Sequence, residues 1–517
     1  MSSLTFRQVS FSYDASAQGL LSKIDFGVST GWTGVLGRNG AGKTTLLQLA
    51  CGELSPREGS VFAPSHAVYC PQRTDTPMRQ FGEFLDDTNG SAYRLRGRLG
   101  IEQDWLQRWN SLSHGERKRA QIGTCLWLMP DLLAIDEPTN HLDSIASRMI
   151  REALTSYHGV GLLVSHDRDL LDALCRHVLI VEPPKVSLRS GGYSTATSAV
   201  QAENKEAVEE RKRLVREHRR LRREADVRRR HVERAEKAKS LHGVAPQDHD
   251  ARFKARSARV TDGQTSKRLR QLDGRIRQTA EKRDAVHLRR SGPMGVEFSG
   301  ELSTRNVLFR LAAAGIPLGG NRILMHGDLL MLPRDRVAVS GPNGSGKTTL
   351  IEKIVQALLI PMERVAYIPQ EIPTEGSKSL LQQVRMMVSD RRGAVMRCVS
   401  RLGSDPEQLL DSGCPSPGET RKLLLAVRLA DRAQLVIMDE PTNHMDLPSI
   451  ECLEEALAAY VGGLLLVSHD QQFVQRLTTT QWEIVRDDPQ GRRQSVHATV
   501  TGDGSSRSEM GERVDEQ

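Results

Sequence analysis

The chain has 517 residues, 38% of them apolar and 26% charged, with a net charge of +8 and seven cysteines. At roughly 100–200 residues per domain, this length predicts about three domains. No run of about 18 apolar residues is present to span a membrane, the first residues lack the apolar stretch of a secretory signal, and the cysteines, scattered from Cys51 to Cys452 without a CxxC pair, argue against a zinc ribbon or a disulfide framework and for reduced thiols in a cytoplasmic protein.

In chain order, the first strong pattern is a buried strand around Gly34-Val35-Leu36 that runs into a glycine-rich loop: Gly37, Arg38, Asn39, Gly40, Ala41, Gly42, Lys43, Thr44 and Thr45. A helix beginning near Leu46 follows. This is GxxxxGK[ST] between a strand and a helix, the context in which the motif binds phosphate. Its glycines let backbone N–H groups turn inward around phosphate oxygens, and the helix N-terminus adds partial positive charge. Lys43 is expected to reach the β- and γ-phosphates of a bound nucleotide, and Thr44 to ligate Mg²⁺. Gln72, in Cys70-Pro71-Gln72, is placed to sense metal and water. Asp131–Asp136 is an apolar run ending in acid, as an interior parallel strand beside the phosphate loop would. Asp136 would complete the Mg²⁺ shell, and Glu137 would be the base for the attacking water. His166, in Ser165-His166-Asp167, is expected to contact the γ-phosphate.

Residues 201–290 hold 28 Lys and Arg against 15 Asp and Glu, a net +13, which leaves −5 for the rest of the chain. A basic segment between slightly acidic domains points to a polyanionic partner. Residues 203–241 lack Pro and Gly, and Ala207, Leu214, Leu221 and Ala235 fall at multiples of seven; Leu269, Leu272, Ile276 and Val286 form a second thin apolar stripe. With Gly243, Pro246 and Gly263 bracketing a turn, the expected shape is a helical hairpin whose first arm reaches about 55 Å. Only Phe253 offers an aromatic face here, so backbone electrostatics should dominate over base stacking.

The first pattern then returns. The loop reappears as Gly341, Pro342, Asn343, Gly344, Ser345, Gly346, Lys347, Thr348 and Thr349, offset by 304; Asp136-Glu137 returns as Asp439-Glu440 and Ser165-His166-Asp167 as Ser468-His469-Asp470, both offset by 303. Gln370 repeats Gln72. The second set of roles follows: Lys347 for phosphate, Thr348, Gln370 and Asp439 for Mg²⁺, Glu440 as base and His469 for the γ-phosphate. The domains are placed at 1–198 and 299–499, with the linker at 199–298 and a disordered tail at 500–517.

Taken together, these residues resemble the ATP-binding-cassette superfamily and, through Pro-Thr-Asn-His-Leu/Met-Asp at 138–143 and 441–446 and Gly191-Gly192-Tyr193-Ser194, its ABC-F branch of soluble twin-cassette proteins. The resemblance covers nearly the whole chain. It implies an α/β fold of two P-loop ATP-binding-cassette domains joined by a long basic α-helical hairpin linker. It also implies head-to-tail pairing of the cassettes within one chain, each ATP lying between the phosphate loop of one and the signature of the other. The signatures would be Leu112-Ser113-His114-Gly115-Glu116 and Pro415-Ser416-Pro417-Gly418-Glu419, so Ser113, Gly115, Ser416 and Gly418 join the expected nucleotide contacts. Each can start a helix with a capping box, Ser113 with Glu116 and Ser416 with Glu419. Both depart from the usual LSGGQ/E. Pro417 removes an N–H, so the site pairing Lys43 with Ser416 is expected to be the weaker. Tyr13 matches the adenine-stacking aromatic; in the second cassette Leu311 falls near that place. The spacings Gln72–Ser113 and Gln370–Ser416, 41 and 46 residues, leave little room for an inserted arm.

The implied activity is ATP hydrolysis, in a monomeric cytoplasmic protein whose linker reaches rRNA and tRNA on the ribosome. It would act as a translation factor or protect the ribosome from antibiotics. The alternative is the soluble ATP-binding subunit of a transporter with a separate permease. It leaves the Arg-rich linker unexplained. A DNA-repair ATPase or an iron–sulfur recycling factor would need zinc sites, longer coiled coils or a cysteine cluster.

Overall fold

The computed structural model describes residues 2–13, 19–140, 142–239, 269–286, 300–413, 415–443, 445–487 and 492–500. The chain divides into two compact units, Met1–Ala196 with Gly292–Gln517, and Thr197–Ser291.

The larger unit contains both cassettes, built on matching sheets. In the first, the strand order is Ala67–Cys70, Leu132–Asp136, Val160–Val164, Gly31–Gly37, Cys175–Glu182 and Lys185–Ser190; all neighbours are parallel except the last pair. In the second it begins Val365–Ile368, Leu435–Asp439, Gly463–Val467, Arg336–Ser340 and Thr480–Arg486. The strands Leu132–Asp136, Val160–Val164, Leu435–Asp439 and Gly463–Val467 are buried at every position, as apolar runs covered on both faces must be. Each strand that feeds a phosphate loop sits centrally, so the loop, the acid pair and the Ser-His-Asp turn all emerge along the carboxyl edge of one sheet, where open α/β sheets bind ligands.

The cassettes differ at their outer edges. Leu21–Val28, Leu4–Phe11 and Glu58–Phe62 make a separate antiparallel sheet in the first. In the second, the hairpin Ala314–Gly319 and Arg322–His326 joins the main sheet through Arg493–Val500. Leu447 of the second cassette is buried in the first cassette's core beside Leu112 and Leu142.

In the linker, helix Tyr193–Lys239 begins ten residues before the predicted first arm. The reason is local: Gly191 at φ 98° turns the chain, and Asp172 Oδ1 accepts from Ser194 N at 2.8 Å. Within the smaller unit, this helix and a second over 269–285 pack antiparallel through Leu221, Ala225 and Leu272, all nearly fully buried. Arg229 pairs with Asp273 at 2.7 Å. Leu214 and Ala207 are only half-buried, so the apolar seam is as thin as the spacing predicts. The expected turn at Gly243, Pro246 and Gly263, the tail beyond residue 500, and His141 and His444 lie outside the described residues. No described helix is long and apolar enough to cross a membrane.

Candidate nucleotide sites

Each phosphate loop is shaped by glycines in the left-handed region: Gly40 and Gly42 at φ 77° and 94°, Gly344 and Gly346 at 73° and 89°. The following helices, Lys43–Ala50 and Lys347–Gln356, have no side-chain N-cap, so their first N–H groups face the loop. Lys43 Nζ is held over the loop by Gly37 O at 2.9 Å and Arg38 O at 3.2 Å, and Lys347 Nζ by Gly341 O and Pro342 O at 2.8 and 3.1 Å. Ser345 Oγ is buried and has no partner among the described residues, an open donor inside a cradle made for oxyanions. Thr45 and Thr349 occupy the first turn behind Thr44 and Thr348.

Thr44 Oγ1 donates to Asp136 Oδ2 at 2.6 Å, and Thr348 Oγ1 to Asp439 Oδ2 at 2.8 Å. Burial raises both aspartates above the usual carboxylate range, and the threonine hydroxyls oppose it only in part. A hydroxyl and a buried carboxylate short of positive charge are a donor pair that fits a hard divalent cation. Gln370 lines the second site with Thr348 and Asp439, whereas Gln72 lies two residues beyond the equivalent strand, Ala67–Cys70, and is exposed.

Glu137 and Glu440 follow these acids at φ 48° and 49°, a conformation that non-glycine residues adopt only under constraint. Their N–H groups are pinned to Val164 O and Val467 O at 2.9 and 2.8 Å. His166 Nε2 stands 2.9 Å from Glu137 Oε1, and His469 Nε2 stands 3.3 Å from Glu440 Oε1. Their charge states differ. Burial works against the Glu137 carboxylate, but His166 and Lys43 outweigh it and hold it below the ordinary range. Burial, aided by Asp439, pushes Glu440 up to about 8 against the pull of Lys347, and burial pushes His469 down to about 4.

The signature segments start helices His114–Trp127 and Pro417–Leu429 with the predicted capping boxes: Ser113 N donates to Glu116 Oε2 at 2.7 Å and Ser416 N to Glu419 Oε2 at 2.9 Å. Pro417 takes the first helical position without disturbing the helix. Behind them, Lys118 Nζ bridges Pro71 O and Asp136 O at 2.7 and 3.1 Å, and Arg421 donates to the Gln370 and Glu440 carbonyls in the same place.

The cassettes meet head to tail. Asp446 Oδ2 accepts from Asn39 N of the first phosphate loop at 2.9 Å, and Asp143 Oδ2 accepts from Asn343 N of the second at 3.2 Å. The other oxygen of each caps its own helix, Asp143 toward Ala146 N and Asp446 toward Ser449 N. A Cβ on Gly403 would lie 3.9 Å from both Arg38 Cζ and Lys422 Nζ, so Arg38 reaches into the second cassette. Arg168 Nη1 pairs with Glu454 Oε1 at 2.8 Å, both buried, while Arg476 holds the other oxygen at 3.0 Å. Tyr193 Oη donates to Glu451 Oε1 at 2.6 Å. None of these crossing contacts was singled out from the sequence. The signal for them lay in the repeat: Arg168 and Glu454 fall opposite Gln471 and Arg151 at the 303-residue offset, so a charge pair is present in one copy only.

Tyr13 stands at the rim of the first site with its hydroxyl 3.0 Å from Thr45 Oγ1. At the second, Leu311 does not take that place. It packs against the cassette core, and Leu318 lines the cavity instead, because the turn at Gly319 and Gly320 carries the hairpin back over the phosphate loop.

Comparison with known proteins accounts for the duplicated architecture. The ABC transporter family model matches residues 21–140 and 328–443. The ATP-binding protein Uup of Caulobacter vibrioides is 30% identical over 86% of this chain and 71% of its own length. The chain belongs to the ABC-F family of ATP-binding-cassette proteins. It is an ATPase of two cassettes. Two further relatives of this ABC-F protein are the ribosome protection protein VmlR of Bacillus subtilis, 28% identical over 91% of this chain and 85% of its own, and the tylosin resistance ATP-binding protein TlrC of Streptomyces fradiae, 29% identical over 93% and 97%.

Proposed function

We propose that ATP closes the two cassettes head to tail and that closure sets the basic linker on the ribosome, in contact with rRNA and tRNA. Hydrolysis then reopens the pair. The observation that carries this reading is a basic helical segment of net charge +13 lying in sequence between two cassettes whose phosphate loops are already bridged by the opposite cassette's Asp143 and Asp446. The names of VmlR and TlrC support an output in ribosome protection or antibiotic resistance. The protein is read as a cytoplasmic monomer. The functional divisions are 1–198, 199–298, 299–499 and the tail 500–517.

At each site the residues divide the work. Lys43 or Lys347, with the N–H groups of 37–45 or 341–349, holds the phosphates. Thr44, Gln72 and Asp136, or Thr348, Gln370 and Asp439, hold Mg²⁺. Glu137 or Glu440 takes the proton of the attacking water, His166 or His469 contacts the γ-phosphate, and the opposite signature, with Ser416 and Gly418 or Ser113 and Gly115, closes over it. Tyr13 stacks on the adenine of the first site.

The test is co-sedimentation of the doubly trapped Glu137→Gln/Glu440→Gln protein with ribosomes in ATP at low salt. Binding is expected there and lost steeply as salt rises, because each phosphate contact releases counterions. Replacing Arg219, Arg220, Arg222 and Arg223 by Gln should weaken it at least tenfold at about 0.15 M salt and flatten the salt slope. Absence of sedimentation at low salt removes the ribosomal reading and leaves the ATPase.

A further inference from the structure

The rims of the two sites are built alike and finished differently. In the first cassette Leu20 packs on Gly42, where a Cβ would lie 3.0 Å from Leu20 Cδ2, and Tyr13, 49% exposed, reaches Thr45 Oγ1 at 3.0 Å. In the second, Leu318 packs on Gly346 in the same way. Gly319 pairs with Arg322 across the turn, so Arg322 starts the returning strand on the edge that carries Leu318. Arg322 Nη1 donates to Gly344 O of the phosphate loop at 3.3 Å.

Both side chains line a cavity of about 410 Å³ together with Lys347, Thr348, Gln370 and Asp439. Leu318 and Arg322 come from the hairpin; Thr348, Gln370 and Asp439 come from the carboxyl edge of the sheet. A triphosphate seated on Lys347 with its metal at the sheet edge therefore directs its nucleoside toward the hairpin. No Phe, Tyr or Trp is among the described residues lining this cavity, and its one imidazole, His469, stands at the phosphate end, 3.4 Å from Lys347 Nζ. The group with a flat, polarisable face on the hairpin side is the guanidinium of Arg322, which stacks on aromatic rings as a planar cation.

We propose that Arg322 is the nucleobase platform of the second site, its guanidinium plane stacking on the purine over Leu318. This rests on the reading of 341–349 as a nucleotide loop. A cationic plane recognises the ring's face and reads no base edge, so the second site should take ATP and GTP alike.

The experiment uses the full-length Lys43→Ala protein, which silences the first site, and measures by calorimetry the binding of Mg·ATP and of Mg·tripolyphosphate, which has no base. Arg322→Ala should weaken ATP binding about five- to tenfold and leave tripolyphosphate unchanged. Arg322→Tyr should restore ATP binding. Equal loss for both ligands, rescue by Arg322→Lys but not by Arg322→Tyr, or no change in ATP binding overturns the proposal. Lys347→Ala separates the two readings. If it leaves ATP bound, residues 341–349 are not the nucleotide loop; if it abolishes ATP binding while Arg322→Ala is silent, only the platform falls. Arg322 is exposed and outside the core, so an unchanged melting temperature of its variants checks folding.

Discussion

In the first cassette Glu137 lies 2.9 Å from His166 and is held ionised, while in the second Glu440 lies 3.3 Å from His469 and is pushed up to about 8. The same two halves differ where the cassettes touch. Arg168–Glu454 and Tyr193–Glu451 cross between cassettes. The counterparts of Arg168 and Glu454 are Gln471 and Arg151, and Arg151 Nε has no partner among the described residues. Between the halves, Gln472 Nε2 donates to Asp169 Oδ1 at 2.7 Å; these two residues are themselves counterparts and mark the pseudo-two-fold axis. The loop, acid-pair and Ser-His-Asp residues recur in both halves, as do Asp143 and Asp446 across the divide, whereas the Arg168–Glu454 pair is present in one half only. The asymmetry of this protein is therefore one of closure and charge, on a common chemical plan.

The comparison breaks most readily at Arg168. Removing one member of a buried ion pair costs about 3 kcal/mol, and here Arg476 remains beside Glu454, so Arg168→Gln should cost about 1–2 kcal/mol of closure. That is roughly a tenfold loss in ATP-driven closure, measured as the distance between spin labels on the two cassettes. Arg151→Gln, at the position that repeats Glu454, should change it by less than about twofold. Equal effects would make the two halves equivalent.

The charge difference gives a second test in nucleotide-free protein. Glu440 binds its proton up to about pH 8 when folded but only to about 4.5 when unfolded, so its contribution to stability is lost as pH rises through that window. Glu440→Gln should therefore raise the apparent melting temperature at pH 8.5, by about 2–4 °C. Glu137, held below its ordinary value, stabilises the folded state above that value and loses this as pH falls, so Glu137→Gln should lower the melting temperature at the same pH. Shifts of the same sign would refute the difference. In turnover, the ionised Glu137 favours the first site, whereas Pro417 in the signature facing it argues the reverse; comparing residual ATPase of the two glutamine variants decides which effect is larger. Smaller than Arg168→Gln is Tyr193→Phe, which deletes one hydrogen bond worth about 1 kcal/mol and should weaken closure about fivefold.

Much of the site was legible because its chemistry is local in sequence. The phosphate loops, the acid-ended strands and the capping boxes of Ser113 and Ser416 each lie within a few residues, where spacing and residue type suffice. The linker's thin seam was legible for the same reason. What escaped depends on approach between segments hundreds of residues apart. Arg168 meets Glu454, Arg38 meets the second cassette, and Asp446 meets Asn39 only once both cassettes are folded. Leu318 rather than Leu311 reached the cavity because a two-glycine turn, not the offset of the repeat, sets where the hairpin crosses the loop. The helix start at Tyr193 was set by Asp172, twenty-one residues upstream in the chain, not by composition.

Asp143 and Asp446 each spend one oxygen on the start of their own helix and the other on the loop across the divide. Pulling the cassettes apart thus leaves a lone pair idle at each helix end and loosens the turn it anchors. Each carboxylate ties a helix start in one cassette to the phosphate loop of the other, so both ties part together when the halves separate.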